Sequence, residues 1–408
     1  MINLRSYQTE ISIKAVELLN TKKIAYLAMA VRTGKTLTAL NTANLYGACN
    51  VLFITKKKAI KSIEDDYVAL SPDFTITIIN YESLHTILDN SFDLVICDEN
   101  HKNGAFPKPN GISKDIKKRF GHLPMIFLSG TPAIESGSQW FHQFWISNNS
   151  PFKQYKNFYD WAKTFTNPKI KHFGALQVKD YSDAKTEMII PIVEPYLLKY
   201  TQEEAGFTST ISENVIYHEM SEQTNNMIKT LLKDKMIQGT TDVILADTAA
   251  KLMSKIHQLS NGTVILESGK SIITDDSKAK FIKNYFDGKK LAIFYNFQKE
   301  LELLKNTFED NLTTDLETFN TTKKHIALQQ VSGSEGISLK AADVLIYYSF
   351  GYSGKNYVQS RDRMTTKERE ENNVYFVFQK DDINERIHKV VKSKKRYSEK
   401  IFIKEFKL

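Results

Sequence analysis

Two short stretches carry residue types that handle phosphate. "MAVRTGKTLTAL" (29–40) sets Gly34, Lys35 and Thr36 in the order that closes the phosphate cradle G-x-x-x-x-G-K-[ST]. In such a loop successive backbone N–H groups and a helix N-terminus point at the phosphates; the lysine reaches the outer phosphates and the hydroxyl after it holds Mg²⁺. Met29 stands where the first glycine would be. Only Gly34 must admit the closest approach of backbone to phosphate, so the donors survive that change. The plainer alternative is a chance Gly-Lys-Thr at an ordinary helix start. Further on, "FDLVICDENH" (92–101) ends an apolar strand in Asp98 and Glu99. Buried neighbouring carboxylates want a cation; here Asp98 would position Mg²⁺ and Glu99 would take a proton from an attacking water. The alternative is a solvated acidic turn. Cys97 reads as a small buried strand residue.

The elements that must position these residues follow from the patterning. Strand-like runs at 24–29, 51–55, 75–79, 93–97 and 125–128 alternate with helical patterns at 8–20, 35–46, 57–69 and 113–120. Strands spaced by helices need crossover connections and a mostly parallel sheet. A second block repeats the theme, with strands at 290–297, 325–331, 344–350 and 373–379 and helices at 278–286 and 299–308. Between them "WFHQFWISNNSPFKQYKNFYDWAKTF" has weak strand periodicity and predicts helix, its rings reading more readily as core than as a stacking platform. The expected class is α/β, with two parallel-sheet lobes in tandem and a helical insertion between them. Lobe one spans 1–137, the insertion and bridge 138–210, lobe two 211–380, and a basic C-terminal helix 381–408.

At 408 residues the chain is long for one core, which agrees with two domains. Apolar runs such as "LAIFY" are too short to span a membrane, and "MINLRSYQTE" lacks the layout of a signal peptide. Two cysteines make neither a disulfide framework nor a zinc site of common spacing, so the cytoplasm is the expected address. A net charge of +8 favours an anionic partner, nucleic acid first; the alternative is lysine kept for solubility.

With "TGKT" and "DENH" in this order, the chain resembles the superfamily-two helicases, and further segments place the resemblance in their Swi/Snf-type branch. These are "LRSYQ" (4–8), "VLFITKKKAI" (51–60), "ITIINYESL" (76–84), "IFLSGTPAIES" (126–136) and "PIVEPYLLKYTQEE" (191–204). "GSEGISLKAADVLIYYS" (333–349) and "QSRDR" (359–363) continue the match in the second block, so that it runs from about residue 3 to 380. The compact chain is also similar to helicases of large phages, which would put it in a host cytoplasm.

The resemblance implies two RecA-like lobes and ATP with Mg²⁺ as cofactors. It implies Lys35, Glu99 and Arg363 as catalytic residues and Arg5, Gln8, Thr33, Gly34, Lys35, Thr36, Gly336, Gln359 and Arg361 as nucleotide contacts, with Mg²⁺ on Thr36 and Asp98. Lys56, Lys57, Lys58, Ser332 and Ser334 become DNA contacts, and Ser129 and Thr131 the coupling segment. Three departures accompany it. Asn100 replaces an alanine, Ser334 a glycine, and Thr366 the second arginine of the last motif, which leaves Arg363 as the arginine finger with Arg361 as its substitute or as a surface ion pair. The basic end, nine Lys/Arg against three Glu over 385–408, reads as a helix on DNA or as one packed on lobe two. The expected activity is an ATP-dependent helicase or translocase that unwinds or remodels branched DNA in replication, recombination or repair. The expected partner is duplex or branched DNA bound without sequence preference, by a monomer, and no membrane. The alternatives are a duplex translocase that strips proteins and an ATP-binding DNA clamp with little turnover.

Overall fold

A computed structural model describes residues 2–88, 91–173, 176–206, 210–240, 242–333, 337–365, 371–393 and 397–406. The chain divides into two compact units, Met1–Phe207 and Thr208–Leu408.

Unit 1 is built on strands β1 (Ile24–Met29), β2 (Asn50–Thr55), β3 (Thr75–Asn80), β4 (Leu94–Cys97) and β5 (Met125–Leu128), a ribbon of β6 (Lys169–Phe173) and β7 (Leu176–Asp180), and β8 (Leu197–Tyr200). Six of them form one parallel sheet in the order β3-β2-β4-β5-β1-β8. Because successive side chains point to opposite faces, each run divides between two cores. Tyr26, Leu52, Val95 and Phe127 enter one, and Leu27, Phe53, Ile96 and Leu128 the other. Helices Ser6–Lys22, Lys35–Tyr46 and Ile60–Leu70 cover the second face. The first is covered by helices Gly111–Phe120, Gln139–Trp145, Phe158–Phe165 and Thr186–Val193. Trp140, Phe141, Phe144, Phe158, Trp161 and Phe165 are buried there, so most of the aromatic stretch is core.

The stretch predicted as helix over 138–210 is only partly so. It contains the antiparallel β6–β7 ribbon, "KIKHF" against "LQVKD", paired from Lys169 with Asp180 to Phe173 with Leu176. It then returns to the sheet as β8, paired Met29 to Tyr200 beside β1. β8 is four residues long and only partly buried, too little for periodicity to reveal.

Unit 2 repeats the plan. Strand β9 (Thr210–Tyr217) is followed by hairpins β10 (Met236–Gln238) with β11 (Val243–Leu245) and β12 (Thr263–Ile265) with β13 (Ser271–Ile273). Then come β14 (Leu291–Tyr295), β15 (Leu312–Thr313), β16 (His325–Gln329), β17 (Val344–Tyr347) and β18 (Glu371–Phe378). The six-stranded parallel sheet runs β15-β16-β14-β17-β18-β9. The basic end forms two helices, Ile383–Lys392 and Glu399–Phe406, because Ser393 terminates the first. Their Ile387, Val391 and Phe402 pack into the unit 2 core. Among the described residues no helix is long and apolar enough to cross a membrane.

Candidate active site

β1 ends at Met29, and the helix Lys35–Tyr46 starts six residues later with Gly34 as its N-cap in the left-handed region (φ 77°, ψ 37°). Arg32 also has positive φ, 64°. Side chains from outside the loop hold its carbonyls. Gln202 Nε2 donates to Val31 O (3.0 Å), the Tyr7 hydroxyl to Thr33 O (3.0 Å) and Gln8 Nε2 to Gly34 O (3.2 Å). In a trans peptide the C=O of one residue and the N–H of the next point oppositely. Pinning those three carbonyls to the protein therefore turns the N–H groups of Arg32, Gly34 and Lys35 to the other side, toward the concavity. That arrangement, at a helix N-terminus, is an anion cradle.

Gln8 is fixed at both ends, since its Oε1 accepts the Arg5 N–H (2.8 Å). Tyr7 is held by Arg5 Nη1 (2.9 Å) and stacks on Tyr200, ring centroids 4.2 Å apart. Tyr200 O in turn accepts the Ala30 N–H, 2.8 Å. Thr33 Oγ1 closes the loop on Ala30 O at 2.8 Å. A Cβ on Gly34 would lie 2.2 Å from Gln8 Nε2. Gly34→Ala is therefore expected to force Gln8 off the loop and to strain the backbone, costing about 1–2 kcal/mol. Thermal unfolding should show a midpoint lower by roughly 2–6 °C, with nucleotide affinity falling as well.

The Lys35 ammonium crosses the loop to Met29 O and Ala30 O, both at 3.0 Å. Its charge reaches Asp98 and Glu99, so the loop 29–36 (the P-loop) and the segment Asp98–His101 (the acidic box) share one site. Asp98 is fixed by Thr55 Oγ1 (2.8 Å) and by a hydrogen bond from the Glu99 N–H (2.9 Å), and its carbonyl accepts the Tyr81 hydroxyl (2.5 Å). Burial, then the charge of Glu99, pushes the Asp98 carboxyl up to about 6. Burial also disfavours the charge on Glu99, but His101, Lys56 and Lys35 outweigh it and hold that carboxyl well below the usual range. Glu99 sits in the left-handed region (φ 50°), a strained position that aims its side chain. Its Oε2 lies 3.2 Å from His101 Nδ1, close for an ion pair but without the alignment of a hydrogen bond.

His101 Nδ1 also meets Ser129 Oγ (3.0 Å), which accepts the Thr131 N–H (3.1 Å). The acidic box and the Ser129-Gly130-Thr131 segment thus touch through His101, whose part the motif reading did not assign. Asn100 is buried with its Nδ2 on Gln143 O (3.4 Å), away from the P-loop. Lys56 faces Glu99 through its charge, while Lys57 and Lys58 are exposed on a short helical turn. Thr36 is the second residue of the P-loop helix.

In unit 2, Gln359 and Arg361 lie on the helix Gly354–Arg361 and Arg363 on the turn Asp362–Met364. Arg363 is 6% exposed, with Nη1 3.5 Å from Ile337 O. Arg361 pairs with Glu213 Oε1 (3.2 Å), and the other Glu213 oxygen takes Lys392 Nζ (2.8 Å). The Tyr357 hydroxyl donates to Glu213 as well. Burial pushes the Glu213 carboxyl up, but Lys392, Tyr357 and Arg361 outweigh it and leave it below its ordinary value. Its contribution to stability is therefore whole above the ordinary carboxylate range and lost as pH falls through the lowered value. Glu213→Ala is expected to cost unit 2 about 1–3 kcal/mol at neutral pH, and the gap in unfolding midpoint from wild type should close in acid. Ser334, Gly336 and Thr366 lie outside the described residues, as does the side chain of Ser332.

The residues fit Mg²⁺ and a nucleotide. Asp98 is a partly buried carboxylate beside a second one, and the cradle opens on the same site. Mg²⁺ would be held by Asp98 and the Thr36 hydroxyl and would neutralise phosphate charge. Among the described residues no cluster of three or more His, Cys, Asp or Glu forms a metal site of its own.

Residues 1–73 match the family described as type III restriction enzyme, res subunit (ResIII). The chain is also similar to two solved structures. One is the Sulfolobus solfataricus SWI2/SNF2 ATPase core in complex with dsDNA, with 17% identity over 96% of this chain and 91% of that one and a TM-score of 0.44. The other is the Sulfolobus solfataricus SWI2/SNF2 ATPase core domain, with 17% identity over 96% and 88% and a TM-score of 0.43. No curated protein matches the chain.

Proposed function

We propose that this chain is an ATP-driven DNA motor, a helicase or translocase of the superfamily-two Swi/Snf type. The observation that carries the reading is the single site in unit 1 where a cradle of turned N–H groups, Lys35 and the Asp98–Glu99 pair converge. The ResIII match, which covers the P-loop, supports it. The cradle and Lys35 bind and orient the phosphates, and Asp98 would hold the metal. Glu99 accepts a proton from the attacking water, and His101 carries changes at Glu99 to Ser129 and Thr131. In unit 2, Arg363 is the residue we assign to turnover, whereas Arg361 is engaged by Glu213.

The net charge of +8 and the exposed Lys57 and Lys58 support an anionic track such as DNA. We read the substrates as branched DNA, forks and four-way junctions met in replication, recombination or repair. That finer reading rests on the resemblance read from the sequence alone. ATP hydrolysis by the purified chain, with and without single-stranded, duplex and forked DNA, tests the proposal. Stimulation by DNA is expected; background turnover on every DNA with binding retained would leave an ATP-binding clamp instead. Strand separation on a fluorescent fork distinguishes unwinding from protein stripping on duplex.

A further inference from the structure

In unit 1, the helix Gly111–Phe120 ends at Gly121, where a Cβ would lie 2.4 Å from Lys117 O, 3.0 Å from Ile146 O and 3.1 Å from Asn148 Oδ1. Glycine admits that approach, and the Asn148 N–H seals it on Gly121 O at 2.7 Å. The junction of the two helix ends leaves a cleft of about 400 Å³ with Lys117, Trp145, Asn148, Lys153, Tyr155 and Lys156 in its walls. Among the described residues no carboxylate lines it. Lys117 is half-buried; its ammonium donates to Trp145 O (2.8 Å) and lies 4.8 Å from the centre of the Trp145 ring. Lys153 and Lys156 are exposed.

Three cations on one concave surface repel one another, and a polyanion relieves that repulsion. Ring faces beside them suit bases, since every base offers a π-face to stack. The cleft is separate from the nucleotide site. The helix beside it leads into β5 at Met125, which pairs with Ile24 at the start of β1, whereas the P-loop follows the other end of β1. Six residues at about 3.3 Å each put roughly 17–20 Å between the two ends.

We propose that this cleft is a second nucleic-acid site, which takes a single strand by its phosphates and sets bases against Trp145 and Tyr155. The proposal rests on the reading of the chain as a protein that acts on DNA. Anisotropy of labelled oligo-dT with the full chain tests it, comparing wild type with Lys153→Glu/Lys156→Glu across a salt series. The milder Lys153→Gln/Lys156→Gln pair and the unfolding midpoint check that any loss is local. We expect single-strand affinity to fall about tenfold or more, and the slope of log K against log salt to become shallower by roughly 1.4, two contacts at about 0.7 each. Equal affinity and slope in both variants would overturn the proposal. So would retained DNA binding with loss of tripolyphosphate binding, which would make the cleft a small-phosphate pocket. A wild type that binds no DNA would instead remove the functional reading itself, and this site with it.

Discussion

Lys35→Ala is expected to lower ATP turnover by about 10²–10³-fold, the usual effect of deleting one preorganised charge that faces developing negative charge. The ammonium is held at 3.0 Å from two loop carbonyls, and its charge reaches both carboxylates of the acidic box. Its removal therefore takes a cation from the phosphates and from Asp98 and Glu99 together. The loop itself should persist, because Gln8, Tyr7 and Gln202 pin it independently. DNA binding and the unfolding midpoint should stay near wild type while turnover collapses. Unchanged hydrolysis in the variant would mean that the cradle is not the working site.

Glu99→Gln is expected to cut kcat by about 10²–10⁴-fold, the range for losing a general base, with the KM for ATP within a few-fold of wild type. The substitution keeps volume and removes charge, so the strained turn at Glu99 and the contact with His101 survive in outline. Asp98→Asn should behave differently and raise the Mg²⁺ requirement, because Asp98 is the carboxylate fixed by Thr55 and the neighbouring N–H. Steady-state kinetics on both variants checks the division of labour. Equal losses in kcat and KM for the two would show that the pair acts as one metal site and that the base lies elsewhere.

The chemistry-bearing residues of unit 1 were legible because each follows an apolar strand that is almost wholly buried. β1, β2, β4 and β5 are apolar runs whose ends are easy to place, and Lys35, Asp98 and Ser129 follow directly. The same held in unit 2 for β14, β16, β17 and β18. What escaped was half-exposed or very short: β8, β9, β15, the β6–β7 ribbon and the small hairpins, where tertiary pairing decides and no buried apolar run marks the strand. Tyr7 and Gln202 escaped for another reason. They act on backbone carbonyls of a loop, and such bonds depend on no particular residue in the loop and leave no pattern there. His101 was visible as the last letter of "DENH", but its link to Ser129 spans 28 positions and only the fold brings the two together.

The return of the chain as β8 sets a limit on how this protein can be cut into parts. A fragment stopped at residue 137 would keep Lys35, Thr36, Asp98 and Glu99, the side chains of unit 1 that we assign to phosphate, metal and the attacking water. It would lack Tyr200 and Gln202, leaving Val31 O without its donor and β1 as an open sheet edge able to pair with another copy. The smallest autonomous nucleotide-binding piece is thus longer than the stretch in which its motifs are written, because the far wall of the cradle is encoded some 170 positions downstream of the loop it supports.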